Sequence, residues 1–129
     1  MPKVYIAIYK PRNGNYYHWA LYVKSKPPRI FEVTGSHPDF ERNVVESKPE
    51  STTRHVESIE VGDINEGDMR EFHSIMGQVE VDNDTLDWNC QDFVLESLDA
   101  LTEECVLDED EEDYKKGVRR AKRKYYGPQ

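Results

Sequence analysis

The sequence predicts a small α+β domain: a small antiparallel sheet with one helix packed on a face, followed by a charged C-terminal helix or tail. Three segments rich in β-branched and aromatic residues follow one another within the first 34 residues. The clearest helical pattern comes much later, with Val94, Leu98 and Leu101 at positions i, i+4 and i+7. A chain of 129 residues is close to the usual size of one domain. We therefore expect one α+β domain over residues 1–107 and a charged helix or tail over 108–129.

The first third of the chain predicts three strands in an antiparallel meander: Val4–Tyr9 (VYIAIY), Tyr16–Val23 (YYHWALYV) and Arg29–Thr34 (RIFEVT). The segment 11–15 between the first two contains an Asn-Gly pair, which favours a turn. Pro27 and Pro28 end the second strand because proline cannot donate to a ladder. If residues 24–28 form the next loop, Val23 faces Arg29. The residue numbers of each pair between the second and third strands then sum to 52.

The middle of the chain is more polar. Residues 36–54 predict loops around a short apolar piece, Val44-Val45. The segment His55–Val61 alternates like a strand, and Asp68–Met76 predicts a short helix. Asn89 is a natural N-cap for the helix that carries Val94, and Cys90 lies four positions before Val94. The Cys90 thiol is therefore expected in the first helical turn, in line with the buried stripe.

The C-terminal segment separates by charge, although the whole chain carries 17 Lys and Arg against 26 Asp and Glu. Residues 103–113 contain eight acids and no base, and residues 115–124 contain seven bases and no acid. The basic run predicts contact with RNA phosphates, with Tyr125 and Tyr126 available for stacking on bases. The alternative is a helix whose bases pair with the acidic run or the acidic body. The candidate RNA-binding residues are Lys115, Lys116, Arg119, Arg120, Lys122, Arg123 and Lys124.

Cys90 is the candidate nucleophile because the start of a helix stabilises a thiolate and offers N–H donors to an oxyanion. His18 is the candidate base, and it shares one face of the second strand with the small residue Ala20. Because small residues allow close packing, we expect the Cys90 helix on this face. Glu32 lies diagonally opposite His18 in the predicted register and would orient the imidazole, with Thr34 as the fallback. The alternative is that Cys90 is plain core.

Several classes of protein lack support in the sequence. There is no P-loop, no GxGxxG and no GxSxG motif, which excludes the usual nucleotide folds and serine hydrolases. His37, His55 and His73 have no ligand-like spacing with either cysteine, so no metal and no cofactor is expected. Cys90 and Cys105 are 15 positions apart, and a disulfide between them is not expected. Without an apolar run of about 20 residues or a signal peptide, we expect a soluble cytoplasmic protein with no membrane contact.

The segments HWALYV (18–23) and NCQDFVLESL (89–98) resemble the permuted papain-like thiol enzymes, including the lecithin–retinol acyltransferase-like group. In that group a histidine on an early strand precedes a cysteine that opens a later helix. The resemblance implies acyl transfer or amide hydrolysis at Cys90, with His18 as its partner. A polar residue on the following strand, often a second histidine, completes the family's site. Glu32 is the nearest match here, displaced by two residues.

The NCQD segment is also similar to that of small fungal proteins that include arginine-containing cyclodipeptide synthases. This resemblance implies a cytoplasmic biosynthetic enzyme that takes aminoacyl groups from aminoacyl-tRNA through a Cys90 thioester, without ATP. Asp87 and Asp92, which flank Cys90, are the candidate acceptors of a guanidinium. A thiol amidohydrolase or peptidase acting on a small acyl or peptide substrate through the same Cys-His pair stays open as an alternative. A non-catalytic interaction module is the second alternative.

Overall fold

The computed structural model describes residues 1–12 and 14–129. Asn13, part of the predicted turn at 11–15, lies outside the described residues. The strands of the described residues are β1 (Lys3–Tyr9), β2 (His18–Val23), β3 (Arg29–Thr34), β4 (Glu41–Val45) and β5 (His55–Asp63). The α-helices of this part of the chain are α1 (Met69–Gln78), α2 (Cys90–Glu103) and α3 (Glu112–Tyr125), and short 3-10 turns lie at Pro49–Ser51 and Glu66–Asp68. The chain is therefore an α+β protein, as predicted.

The strands form one antiparallel sheet in the order β4-β3-β2-β1-β5. The pairing of β2 with β3 joins Val23 to Arg29 and Leu21 to Phe31, so the predicted register, in which paired positions sum to 52, is confirmed. The prediction of loops over residues 36–54 is wrong for β4, which is a strand. This strand is polar and partly exposed, and it is held by pairing along β3 from Ile30↔Val45 to Thr34↔Glu41.

The predicted face for the Cys90 helix is wrong. The buried residues of α2 pack in the same cluster as Trp19, Leu21 and Val23, whereas Ala7 and Ala20 belong to a separate, smaller cluster on the opposite face. Burying a large apolar side chain contributes roughly 1.5–3 kcal/mol. Trp19, Leu21 and Val23 are all fully buried beneath the helices. The free energy gained by burying these large side chains outweighs the advantage of the closer packing that the small alanines allow.

The charged segment contains a helix that belongs to the core. Gly117, Ala121 and Tyr125, spaced four residues apart on α3, are buried, and α3 packs on β5. A methyl group at Gly117 would collide with the carbonyl oxygen of Glu60, so glycine permits this close contact. Acidic residues occupy the first turn of α3 and basic residues the last, which complements the helix dipole. None of the helices among residues 1–12 and 14–129 is long and apolar enough to span a membrane.

Candidate active site

Cys90 begins α2 as the first residue of the helix, directly after its N-cap. The Asn89 side chain accepts the Gln91 N–H at 2.9 Å, and the Asp92 carboxylate accepts the Asn89 N–H at 3.0 Å. This capping box fixes the first turn, and with it the thiol. The Cys90 Sγ lies 3.9 Å from the carbonyl oxygen of Tyr17, the residue before β2. The nucleophile candidate therefore sits against the point where β2 begins.

His18 is the first residue of β2, and its ring is oriented by a carboxylate. The His18 Nε2 lies 2.6 Å from Glu32 Oε1, and both side chains are buried. Asn43 on β4 donates to the other oxygen of Glu32 at 2.7 Å, and the Arg12 guanidinium lies 3.8 Å from the carboxylate. The Tyr9 ring packs against the imidazole with its centroid 5.5 Å away. Glu32 and Tyr9 thus hold the imidazole, and Asn43 and Arg12 in turn hold the Glu32 carboxylate.

A cavity of about 20 Å³ brings the two candidates together, because Cys90 and His18 both line it. Thr34, the fallback orienter, also lines this cavity, while Glu32 contacts the imidazole itself. The volume of this cavity is close to that of a single water site. Cys90 comes from the helix-covered face of the sheet and His18 from the opposite face. Both line this cavity because it lies where β2 begins, beside the Tyr17 carbonyl oxygen that the Cys90 Sγ approaches.

Burial controls the charge states of this pair. It raises the pKa of the Cys90 thiol to about 11, although the N–H groups of Trp19, Gln91 and Cys90 act to lower it. Burial also lowers the pKa of His18, against the hydrogen bond to Glu32, which raises it. For Glu32, burial is outweighed by the hydrogen bonds from His18 and Asn43, so its pKa is lowered. The resting pair is therefore a neutral thiol and a neutral imidazole beside a carboxylate, because burial outweighs the thiolate stabilisation expected from the helix start.

A second, larger groove of about 390 Å³ adjoins the small cavity, and Tyr16 and Phe40 line both. Asp87, one of the two predicted substrate-binding acids, lines this groove. Asp92, the other, is used in the capping box, and its second oxygen accepts the Tyr126 hydroxyl at 2.9 Å. The structure therefore brings Asp87 to the groove and gives Asp92 two partners within the protein.

The seven predicted RNA-binding residues all lie on α3. Arg120 contacts Glu57 at 3.1 Å and Lys124 contacts the same carboxylate at 3.7 Å, so these two bases help to hold α3 on β5. The side chains of Lys116, Arg119 and Arg123 line a shallow basic depression together with them. The prediction that Tyr125 is available for stacking on bases is wrong, because its ring is buried against Tyr17 with the ring centroids 4.9 Å apart.

Sequence reasoning missed two polar groups next to the site, one buried (Gln91) and one partly buried (Asn43). Gln91 is 1% exposed and makes three hydrogen bonds to backbone groups far away in the sequence. Asn43 lies on the strand that the sequence did not predict. A signal existed for Gln91, since a polar residue directly after the cysteine of a capped helix needs a partner if it is buried. Among the described residues, no cluster of three or more His, Cys, Asp or Glu is placed to hold a metal.

In this α+β protein, a cysteine at the start of a helix and a histidine at the start of a strand line one cavity. Residues 4–108 match the family model DUF6540, a family of unknown function, and the chain belongs to this family. No curated protein and no solved structure matches the chain. The matched region includes Cys90, His18 and Glu32, whereas α3 lies beyond it.

Proposed function

We propose that this protein is a cysteine acyltransferase that forms a thioester on Cys90 and that its fold is a permuted papain-like one. The observation that carries the proposal is the cavity shared by Cys90 and a histidine whose Nε2 is bonded to Glu32. A cysteine, an imidazole and an orienting polar group are the parts that nucleophilic acyl transfer needs. The capping box fixes the first turn of α2, and the Cys90 N–H in that turn can stabilise a developing oxyanion.

The first step is deprotonation and attack. With Glu32 ionised, Nε2 carries the proton of the neutral ring, which leaves a lone pair on Nδ1. Nδ1 takes the thiol proton as the sulfur attacks an ester carbonyl. The carbon–oxygen bond of the ester then breaks, and the leaving oxygen receives that proton from the imidazolium. Because burial keeps the resting pair neutral, His18 acts as a general base during the attack.

The specific acyl donor that we propose is an aminoacyl-tRNA, whose ester needs no further activation by ATP. The amine of a second aminoacyl ester attacks the Cys90 thioester, which forms a dipeptidyl ester and frees the thiol. The free amine of that dipeptide then attacks its own ester carbonyl, which closes a cyclic dipeptide and releases the second alcohol. Asp87 in the groove is the candidate partner for a guanidinium side chain, which supports an arginine-containing product. Lys116, Arg119 and Arg123, which line the basic depression on α3, supply contacts for tRNA phosphates.

The decisive experiment is incubation with arginyl-tRNA followed by intact mass measurement. We expect one arginyl adduct on the wild-type chain and on Cys105→Ala, and none on Cys90→Ala. Replacing Lys116, Arg119 and Arg123 with alanine is expected to slow loading from tRNA at low salt. The same variant should react normally with a small arginyl ester, because only the phosphate contacts are lost. Adduct on Cys105, or none on either cysteine, would contradict the transferase.

Two other functions are separated by the same measurement. If Cys90 is acylated by small amides or peptides and then released by water, while tRNA leaves no adduct, the protein is a thiol amidohydrolase. The buried, high-pKa thiol and the narrow cavity favour a non-catalytic interaction module as the second candidate. A module of this kind would bind RNA through α3 without any adduct, and Cys90→Ala would leave its binding unchanged.

A further inference from the structure

The groove beside the nucleophile has one wall that is built from the end of the chain. Residues 126–129, here called the C-terminal strap, follow α3 directly. Tyr126, Gly127 and Pro128 line the 390 Å³ groove opposite Leu86 and Trp88. The strap lies beyond the residues that the family model matches. The Cys90–His18 pair and this wall of the groove thus come from different parts of the sequence.

Gln91, the residue after the nucleophile, holds this strap in place. Its Oε1 accepts the Gly127 N–H at 2.9 Å, and its Nε2 donates to the carbonyl oxygens of Tyr125 at 3.1 Å and Tyr17 at 2.9 Å. A buried amide is costly unless it is bonded, and a leucine of similar size would fill the same volume. The Gln91 amide instead connects three backbone segments: the end of α3, the strap and the start of β2.

Three further contacts hold the strap against the site. The Tyr126 hydroxyl donates to Asp92 at 2.9 Å, and the Tyr126 ring packs edge-on against Trp19 at 6.0 Å. The Gln129 N–H donates to the carbonyl oxygen of Asn15 at 2.7 Å, next to Tyr16, which lines both the groove and the Cys90 cavity. Each end of the strap is therefore attached to residues that border the candidate active site.

We propose that the C-terminal strap is the specificity-determining wall of the substrate site and that Gln91 is its positioning residue. The proposal rests on the proposed function, because it assumes that the reacting group is bound at Cys90. The part of the substrate that extends past the reacting carbonyl lies in the groove. Tyr16, Phe40, Leu86, Trp88 and Tyr126 make the lining around Asp87 mainly apolar. Beside a guanidinium held at Asp87, the rest of the groove therefore favours an apolar group.

The test uses alkylation of Cys90 and needs no acyl donor. In a Cys105→Ser background, which removes the exposed thiol, iodoacetamide serves as a small probe and N-phenylmaleimide as a bulky apolar one. Deleting residues 126–129, or the Tyr126→Ala substitution, opens the groove. We expect the ratio of the N-phenylmaleimide rate to the iodoacetamide rate to rise roughly tenfold, because the wall that restricts the bulky probe is gone. Gln91→Leu should raise this ratio in the same direction.

The matched control is Tyr5→Ala, which removes a tyrosine from the opposite face of the sheet. Its rate ratio should stay at the parent value. If Gln91→Leu does not fold, as judged by circular dichroism, the deletion and Tyr126→Ala decide the test. A ratio within about twofold of the parent in both would overturn the proposal. Failure of the thioester experiment with a raised ratio here would instead refute the proposed function and keep the strap as the groove wall.

Discussion

The two faces of the sheet use the same strands for different purposes. One face carries Trp19, Leu21 and Val23 beneath the helices and forms the large apolar cluster. The other carries Ala20 and Tyr22 with the buried His18–Glu32 pair and forms a smaller, more polar cluster. Cys90 belongs to the first cluster, yet it shares a cavity with His18 of the other face. At the end of a strand, side chains that belong to opposite faces of the sheet can therefore line the same cavity.

The two faces are therefore expected to have different roles, one in the stability of the fold and the other in its chemistry. Side chains of the helix-covered face are expected to control the free energy of unfolding, and those of the opposite face to control acyl transfer. Cys90 lies between them and should show both influences, because the apolar cluster buries it and the polar pair takes up its proton in the mechanism that we propose. The following predictions test this separation.

Phe93→Ala is expected to give the largest effect, a loss of about 3 to 5 kcal/mol in the free energy of unfolding. Phe93 is 1% exposed on the inner side of α2 and packs against Trp88, so its removal leaves a cavity beneath the helix. Urea unfolding followed by circular dichroism measures the change. Val44→Ala, at a position 47% exposed on β4, is the control and should shift stability by less than about 0.5 kcal/mol. An equal loss in both variants would contradict the assignment of the core to this face.

The alkylation rate of Cys90 is expected to rise about a hundredfold between pH 8 and pH 10, tenfold per pH unit. Burial raises its pKa to about 11 from an ordinary 9.0, so thiolate keeps accumulating where a free thiol has levelled off. The stabilisation linked to the neutral thiol is present below about pH 9 and is lost as the pH rises toward 11. Iodoacetamide kinetics in the Cys105→Ser background measure the profile. A plateau near pH 9, with the fold retained, would show that burial does not control the thiol.

Glu32→Gln should lower the rate of acyl transfer by about 10- to 100-fold with a smaller effect on stability. Glutamine can keep a hydrogen bond to His18 but removes the negative charge that stabilises the imidazolium formed during attack. Single-turnover loading of Cys90 measures the rate. Glu60→Gln, which alters a surface ion pair with Lys3 at 3.2 Å, is the matched control and should leave loading unchanged. Unaltered loading in Glu32→Gln would remove the carboxylate from the mechanism.

The local sequence pattern predicted much of the fold, because each feature that it predicted correctly depends on residues that are close together in the sequence. The strand Arg29–Thr34 has the predicted bounds, and Asn89 caps α2 as expected. The β2–β3 register follows from the loop between the two strands, and that register placed Glu32 within reach of His18. The β4 strand could not be predicted in this way, because its polar residues are ordered by pairing with β3 rather than by a buried face.

The sequence by itself determined the residues that meet across a hairpin and the residue that begins a helix, since both depend on short-range geometry. Only the tertiary structure decided which face of the sheet α2 covers, that Gln91 connects α2 to the C-terminal strap, and that Asp92 is used as a cap. These outcomes depend on how much apolar area each face can bury and on which distant backbone groups need a partner. Burial likewise sets the charge state of Cys90, against the stabilisation that the helix start provides.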